Sequence, residues 1–154
     1  MMVGTPNQTA DTLASDMEFM SSFQPAMVGI GPFLPHKDTP FRACPPGDPD
    51  FTCCMLSIIR LICPTVLLPA TTALGTARPD GRERGILAGA NVVMPNLSPR
   101  EVGKKYELYD NKICTGAESA QGSGSLSARM AAIGYRVVTR RGDARTGLIQ
   151  KQTI

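Results

Sequence analysis

The sequence has no tryptophan, three tyrosines and a single histidine. One histidine cannot build a multi-imidazole metal centre. With no serine or cysteine motif partnered to it, there is no nucleophile–base pair for hydrolysis. No two of the five cysteines, Cys44, Cys53, Cys54, Cys63 and Cys114, stand at C-x-x-C spacing, so the usual zinc and redox motifs are missing. Their odd number, with no secretion signal beside them, argues against a disulfide framework. There is no Lys/Arg block, and the net charge is only +3, which gives little basis for a nucleic-acid surface. The N-terminus, M-M-V-G-T-P-N-Q-T, has neither the basic start nor the apolar core of a leader. The most apolar region, Met55 to Gly75, is interrupted by Arg60, Pro64 and Pro69, which argues against a membrane span. The expectation is a soluble, cytoplasmic protein with no nucleic-acid or membrane partner.

What is present is ordinary globular composition. Of 154 residues, 42% are hydrophobic and 19% charged, enough for one core. The run Pro69 to Asn96 reads as strand, polar loop, capped helix, glycine stop and second strand. Two strands joined by a helix lie parallel and adjacent. The first ends at Thr71, Thr72, Gly75 and Thr76, the second at Met94, Pro95 and Asn96. In parallel α/β folds that rim binds ligands.

The rest of the chain alternates in the same way. Thr9 is placed to cap a helix whose apolar face is Leu13, Met17 and Met20, and Pro25 ends it. Ala26 to Gly31 reads as a short buried strand. Gly29-x-Gly31 is followed by proline rather than a helix, so it is not a dinucleotide fingerprint. Pro32 to Pro49 reads as a long loop, of the kind that is usually functional or mobile. Asp50 is the expected cap of a deeply packed helix from Phe51 to about Cys63, with Cys54 and Cys63 as small buried hydrophobes. A strand from Val66 to Ala73 follows. Asp80 and Glu83 form a D-x-x-E capping box. Gly89 suits a left-handed helix stop, and Asn91 to Met94 is the next strand. Ser98, Pro99 and Glu101 mark a third helix start, with Val102, Tyr106 and Tyr109 on one face. A Gly/Ser linker runs from Thr115 to Ser125. Leu126, Met130 and Ile133 mark a last helix stopped by Gly134, Tyr135 to Val138 a final strand, and the tail from Arg140 reads as exposed. The βα alternation predicts a parallel sheet, but a complete (β/α)₈ barrel takes about 250 residues.

Four segments in order resemble one family: M-V-G-T-P-N-Q-T at 2–9, M-V-G-I-G-P-F-L-P-H-K-D-T-P at 27–40, P-A-T-T-A-L-G-T…P-D-G-R-E at 69–83, and G-A-N-V-V-M-P-N-L-S-P at 89–99. Y-x-L-Y-D-N-K-I-C at 106–114 extends the match. The family is the radical S-adenosylmethionine maturases of [FeFe]-hydrogenase, the HydE type, relatives of biotin synthase. The resemblance implies the C-terminal half of such an enzyme. That is a partial (β/α) TIM-type barrel of roughly the last three strands and helices over residues 1–114, then a C-terminal cap and flexible tail over 115–154.

In that family a C-x-x-x-C-x-x-C loop holds a 4Fe–4S cluster that cleaves S-adenosylmethionine. The cysteine positions here rule that loop out. Cys114 matches one ligand position of a second cluster found in some members, but no C-x-x-C follows it, so no metal ligands are assigned. The resemblance implies cofactor contacts at Met94, Pro95 and Asn96. It implies a substrate cavity lined by Pro32, Phe33, His36, Thr71, Thr72, Gly75, Thr76 and Arg82. The implied partners are the missing N-terminal half of the barrel and the other hydrogenase maturases. No catalytic residue is assigned, and the chain alone is expected to be inactive. Two further readings stay open: a biotin synthase-like radical fragment, and a degenerate, non-catalytic α/β binding module.

Overall fold

The computed structural model describes residues 1–94, 109, 123–139 and 142–143. Strand β1 (Met2–Val3) leads to helix α1 (Ala10–Phe23), β2 (Gly31–Pro32), α2 (Pro49–Ile62) and β3 (Pro69–Ala70). Two short helices, α3 (Thr72–Ala77) and α4 (Gly81–Leu87), precede β4 (Val92–Val93), and α5 spans Ser123–Ala132. Every strand pairing is parallel: Met2 opposite Gly31, and Pro69 opposite Val92. A parallel bridge between Met27 and Leu67 joins the two pairs, through Val28 N–H to Leu67 O at 2.9 Å and Leu67 N–H to Ala26 O at 3.1 Å. The strands therefore lie side by side in chain order, with a helical crossover between each pair. This is a parallel α/β architecture, and no closed barrel forms among the described residues.

The core forms where strand and helix faces meet. Val3, Val28, Ile30 and Leu68 from the strand segments pack with Leu13 and Met20 of α1 and Met55, Leu56 and Ile59 of α2. Thr9 caps α1 as its sequence predicts, in a reciprocal box with Thr12, and Leu13 and Met20 are buried. A second cluster, Ala70, Ile86, Ala90 and Met130, seats α5 beside α4. Arg129 of α5 pairs there with Glu83 of α4. Gly89 stops the α4 turn at φ 113°, as expected.

Several expectations are corrected. Asp48, not Asp50, caps α2: its Oδ1 accepts from Asp50 N–H at 2.8 Å. Pro49 occupies the first helical position, where a missing N–H costs nothing. The Asp50 carboxylate instead takes Arg78 and Arg84. Helix α2 buries one face only, because Leu61 is 80% exposed and Phe51 is exposed as well. Cys63 is buried as expected, but Cys54 is exposed.

The expected strand 66–73 stops early. The Thr71 side chain accepts from Leu74 N–H and starts α3, so Thr72 and Ala73 are helical. Asp80 makes no capping bond; its carboxylate accepts from Arg78 Nε at 3.2 Å. Helix α5 begins within the expected linker, at Ser123. Tyr135 to Val138 forms no strand; Tyr135 N–H closes the end of α5 onto Met130 O. The expected helix start at Ser98, Cys114 and the tail from 144 lie outside the described residues.

The outer edge of β1 has its own device. Val3 O faces β2, accepting from Phe33 N–H at 2.7 Å, so the neighbouring Met2 O and Gly4 N–H face the other way. Gln8 takes both. Its Oε1 accepts from Gly4 N–H at 2.7 Å and its Nε2 donates to Met2 O at 2.9 Å. The carboxamide stands where the peptide of another parallel strand would. Open strand edges invite association. Gln8→Leu, which frees both groups, is therefore expected to increase self-association in sedimentation velocity. An unchanged sedimentation profile would count against this role.

Candidate functional site

A cavity of about 470 Å³ opens at the C-terminal ends of β2 and β3, beside β1. Sequence chemistry explains its position. Pro32 and Pro35 keep the chain from continuing as a ladder strand, and the loop after β2 folds back over the strand ends. Phe33 N–H and O fasten it: the first donates to Val3 O, and the second accepts from Gly47 N–H at 2.8 Å. Phe41 returns to meet Phe33 edge-on, ring centroids 6.2 Å apart, in a favourable aromatic geometry. Ile30 and Leu34 add to the apolar wall, while His36, Thr39 and Thr71 bring the polar side chains.

Gly31 is required by close approach. A Cβ there would stand 2.7 Å from Thr71 Oγ1, so glycine lets β2 run against the threonine that opens α3. Thr71 serves two roles: it lines the cavity and caps α3.

Of the residues proposed from sequence, Pro32, Phe33, His36 and Thr71 line this cavity together. Thr72, Gly75, Thr76 and Arg82 are not among its lining residues; they sit behind it on α3 and α4. Arg82 is 3% exposed and its Nη2 donates to Thr72 Oγ1 at 3.2 Å. Thr76 Oγ1 donates to Thr72 O at 3.0 Å, and Gly75 N–H to Thr71 O at 3.3 Å. The Arg82–Thr72 bond ties α3 to α4, and the other two lie within α3 and its cap. Met94 is 53% exposed, and Pro95 and Asn96 lie outside the described residues. Sequence reasoning did not single out Thr39, Phe41 and Tyr109 as lining residues. The Tyr106-x-x-Tyr109 string was a usable signal for the last, whereas Phe41 carries no local mark of its place.

The four described thiols do not form a cluster site. Cys44 and Cys53 are half-buried, Cys54 exposed and Cys63 buried. Cys63 Sγ donates to Met20 O at 3.8 Å. Burial pushes the Cys53 thiol up, against the opposing pull of Arg84; that disfavours the thiolate a metal needs. Among the described residues no three of His, Cys, Asp and Glu converge to hold a metal ion, and no described helix is long and apolar enough to cross a membrane.

These features define a parallel α/β unit with a cavity at the C-terminal ends of its strands, the place where that architecture usually binds ligands. No family model matches the chain. Over 113 residues, 73% of its length, it is 47% identical to the [FeFe] hydrogenase maturase subunit HydE of Thermotoga maritima, and is homologous to it. The matched region spans about a third of that relative, 32% of its length.

Proposed function

We propose that this chain supplies one wall of the S-adenosylmethionine and substrate cavity of a HydE-like radical maturase. On this reading it acts only beside a segment that brings the cluster-binding loop. The observation that carries the proposal is the cavity itself. Most of its walls come from 27–40 and 69–83, two of the strings that carry the resemblance, with Met1, Met2, Phe41 and Tyr109 completing them, and they meet at the strand ends where such folds bind ligands. Homology to the maturase subunit supports it. The 4Fe–4S group does not fit the residues of this chain, because its five cysteines do not follow the required spacing and no three metal-ligating side chains converge among the described residues. The chain's own task is then to shape the cavity, exclude water with the Phe33–Phe41 wall, and present His36, Thr39 and Thr71. Met94, Pro95 and Asn96 belong to the cofactor side of the same proposal. The companion hydrogenase maturases are its proposed partners, in the cytoplasm.

A complementation assay tests this. The chain is mixed anaerobically with the remaining segment of the Thermotoga relative, iron and sulfide, and S-adenosylmethionine is added with dithionite as the electron donor. Release of 5′-deoxyadenosine is then followed. Each piece alone is expected to be silent and the mixture active. A silent mixture, or stoichiometric cluster assembly and cofactor cleavage by this chain alone, would sink the proposal.

A further inference from the structure

His36 is the only histidine of the chain, and its protonation geometry is set by the backbone. Its Nδ1 accepts from Asp38 N–H at 3.1 Å. A ring nitrogen that accepts a hydrogen bond carries no proton, so in the neutral imidazole the proton sits on Nε2. The turn that presents the amide is itself fastened. Thr39 N–H and Thr39 Oγ1 both donate to His36 O, at 3.1 and 2.8 Å. The Asp38 carboxylate is 3.9 Å from Nδ1, beyond hydrogen-bond range. The backbone amide therefore makes the selection, not the charge.

The ring is mostly covered, with its side chain 19% exposed, and it lines the cavity together with Ile30, Pro32, Phe33 and Phe41. In such apolar surroundings an unanswered polar group is costly. Nε2–H is the ring position left to answer a ligand.

We propose that His36 is a fixed hydrogen-bond donor of the cavity. The Asp38 amide locks it as the Nε2–H tautomer, so that it selects ligands with an acceptor atom lying against the Phe33–Phe41 wall. Asp38 acts as a positioning residue through its main chain. This rests on the reading that the cavity holds a ligand, but not on the maturase chemistry. A site built around a donor discriminates strongly against analogues with no acceptor, because the donor would be left unpaired.

The single histidine makes the test direct. Long-range ¹H–¹⁵N spectra at pH 8, where an ordinary imidazole is neutral, should show one ring, with Nδ1 unprotonated and Nε2 carrying the proton. Asp38→Asn keeps the amide and should leave the pattern unchanged. Asp38→Pro removes the N–H and should give a mixture of tautomers. A mixed or Nδ1–H pattern in the unaltered chain would overturn the lock.

Formate then serves as the acceptor probe, read from the backbone amide shifts of Thr39 and Phe41. A saturating response is expected in the unaltered chain, weakened at least tenfold in His36→Phe and partly restored in His36→Gln. An equal response in His36→Phe, or no response in the unaltered chain, would overturn the donor role. Failure of complementation with this response intact would refute the maturase reading alone.

Discussion

Alanine at position 47 is expected to lower the melting temperature by about 6–12 °C, corresponding to a loss of about 3 kcal/mol in a chain of this size. Gly47 lies where the long loop returns to the sheet. A Cβ there would sit 2.1 Å from Val3 O and 2.9 Å from Phe33 N. Both neighbours are backbone, and the two are bonded to each other at 2.7 Å. No rotamer change can relieve the contact. Either the loop lifts or the β1–β2 ladder opens. The same displacement would loosen Phe33 and so the cavity wall, which makes the effect readable twice. Calorimetry should show the lower midpoint, and the Phe33 and Phe41 side-chain resonances should lose their ring-current shifts. A melting temperature within 2 °C of the parent, the shift expected of less than about 1 kcal/mol, would show that the loop does not bear on the sheet there.

Arg60→Ala should be of similar size, about 3–4 kcal/mol. The Arg60 guanidinium joins three carbonyls from two parts of the chain. Nε donates to Gly89 O at 2.8 Å, and Nη1 donates to Pro64 O and Val66 O at 2.9 Å each. It thus holds the end of α4 and the approach to β3 against the last turn of α2. Burial pulls its pKa below the ordinary value, but arginine stays charged near neutrality. Truncation leaves all three carbonyls without this donor. It also removes the stem beyond Cβ, which packs on Gly89, where an added Cβ would meet Arg60 Cγ at 3.1 Å. Arg60→Lys should recover less than half of the loss, because an ammonium cannot reproduce the fork. Urea titration of the three proteins checks this, and full rescue by lysine would show that charge alone matters.

How far the sequence could be read depended on whether each signal was local. Thr9, Leu13 and Met20 lie within one helix, and the cap and the buried face both follow from their spacing. Gly89 likewise announces its turn. Thr71 illustrates the ambiguous case. A β-branched residue at the end of an apolar run suits a strand, and its hydroxyl equally suits a helix cap. The structure uses the second property, which turned the last residues of an expected strand into the start of α3.

Asp80 and Glu83 fail for a different reason. Their spacing is that of a capping box, but Arg78 engages the first and Arg129, 46 residues further on, engages the second. Nothing local shows a partner at that separation. The cavity divides along the same line. Pro32, Phe33, His36 and Thr71, which the resemblance and their place near strand ends single out, line one cavity. Phe41 was not singled out, because the loop's return path depends on the Gly47 contact with Phe33 and Val3.

The order of the strands also bears on how the protein acquires its structure. Each strand neighbours the one made just before it, and each crossover packs on the pair it connects. Each pairing closes one crossover rather than the whole chain, and the entropy cost of closure rises only slowly with loop length. The molecule can therefore gain its structure vectorially as it leaves the ribosome, one βα step upon another. Gln8 can cover the outer side of β1 as soon as Thr9 has capped α1, before β2 exists to pair with the other side.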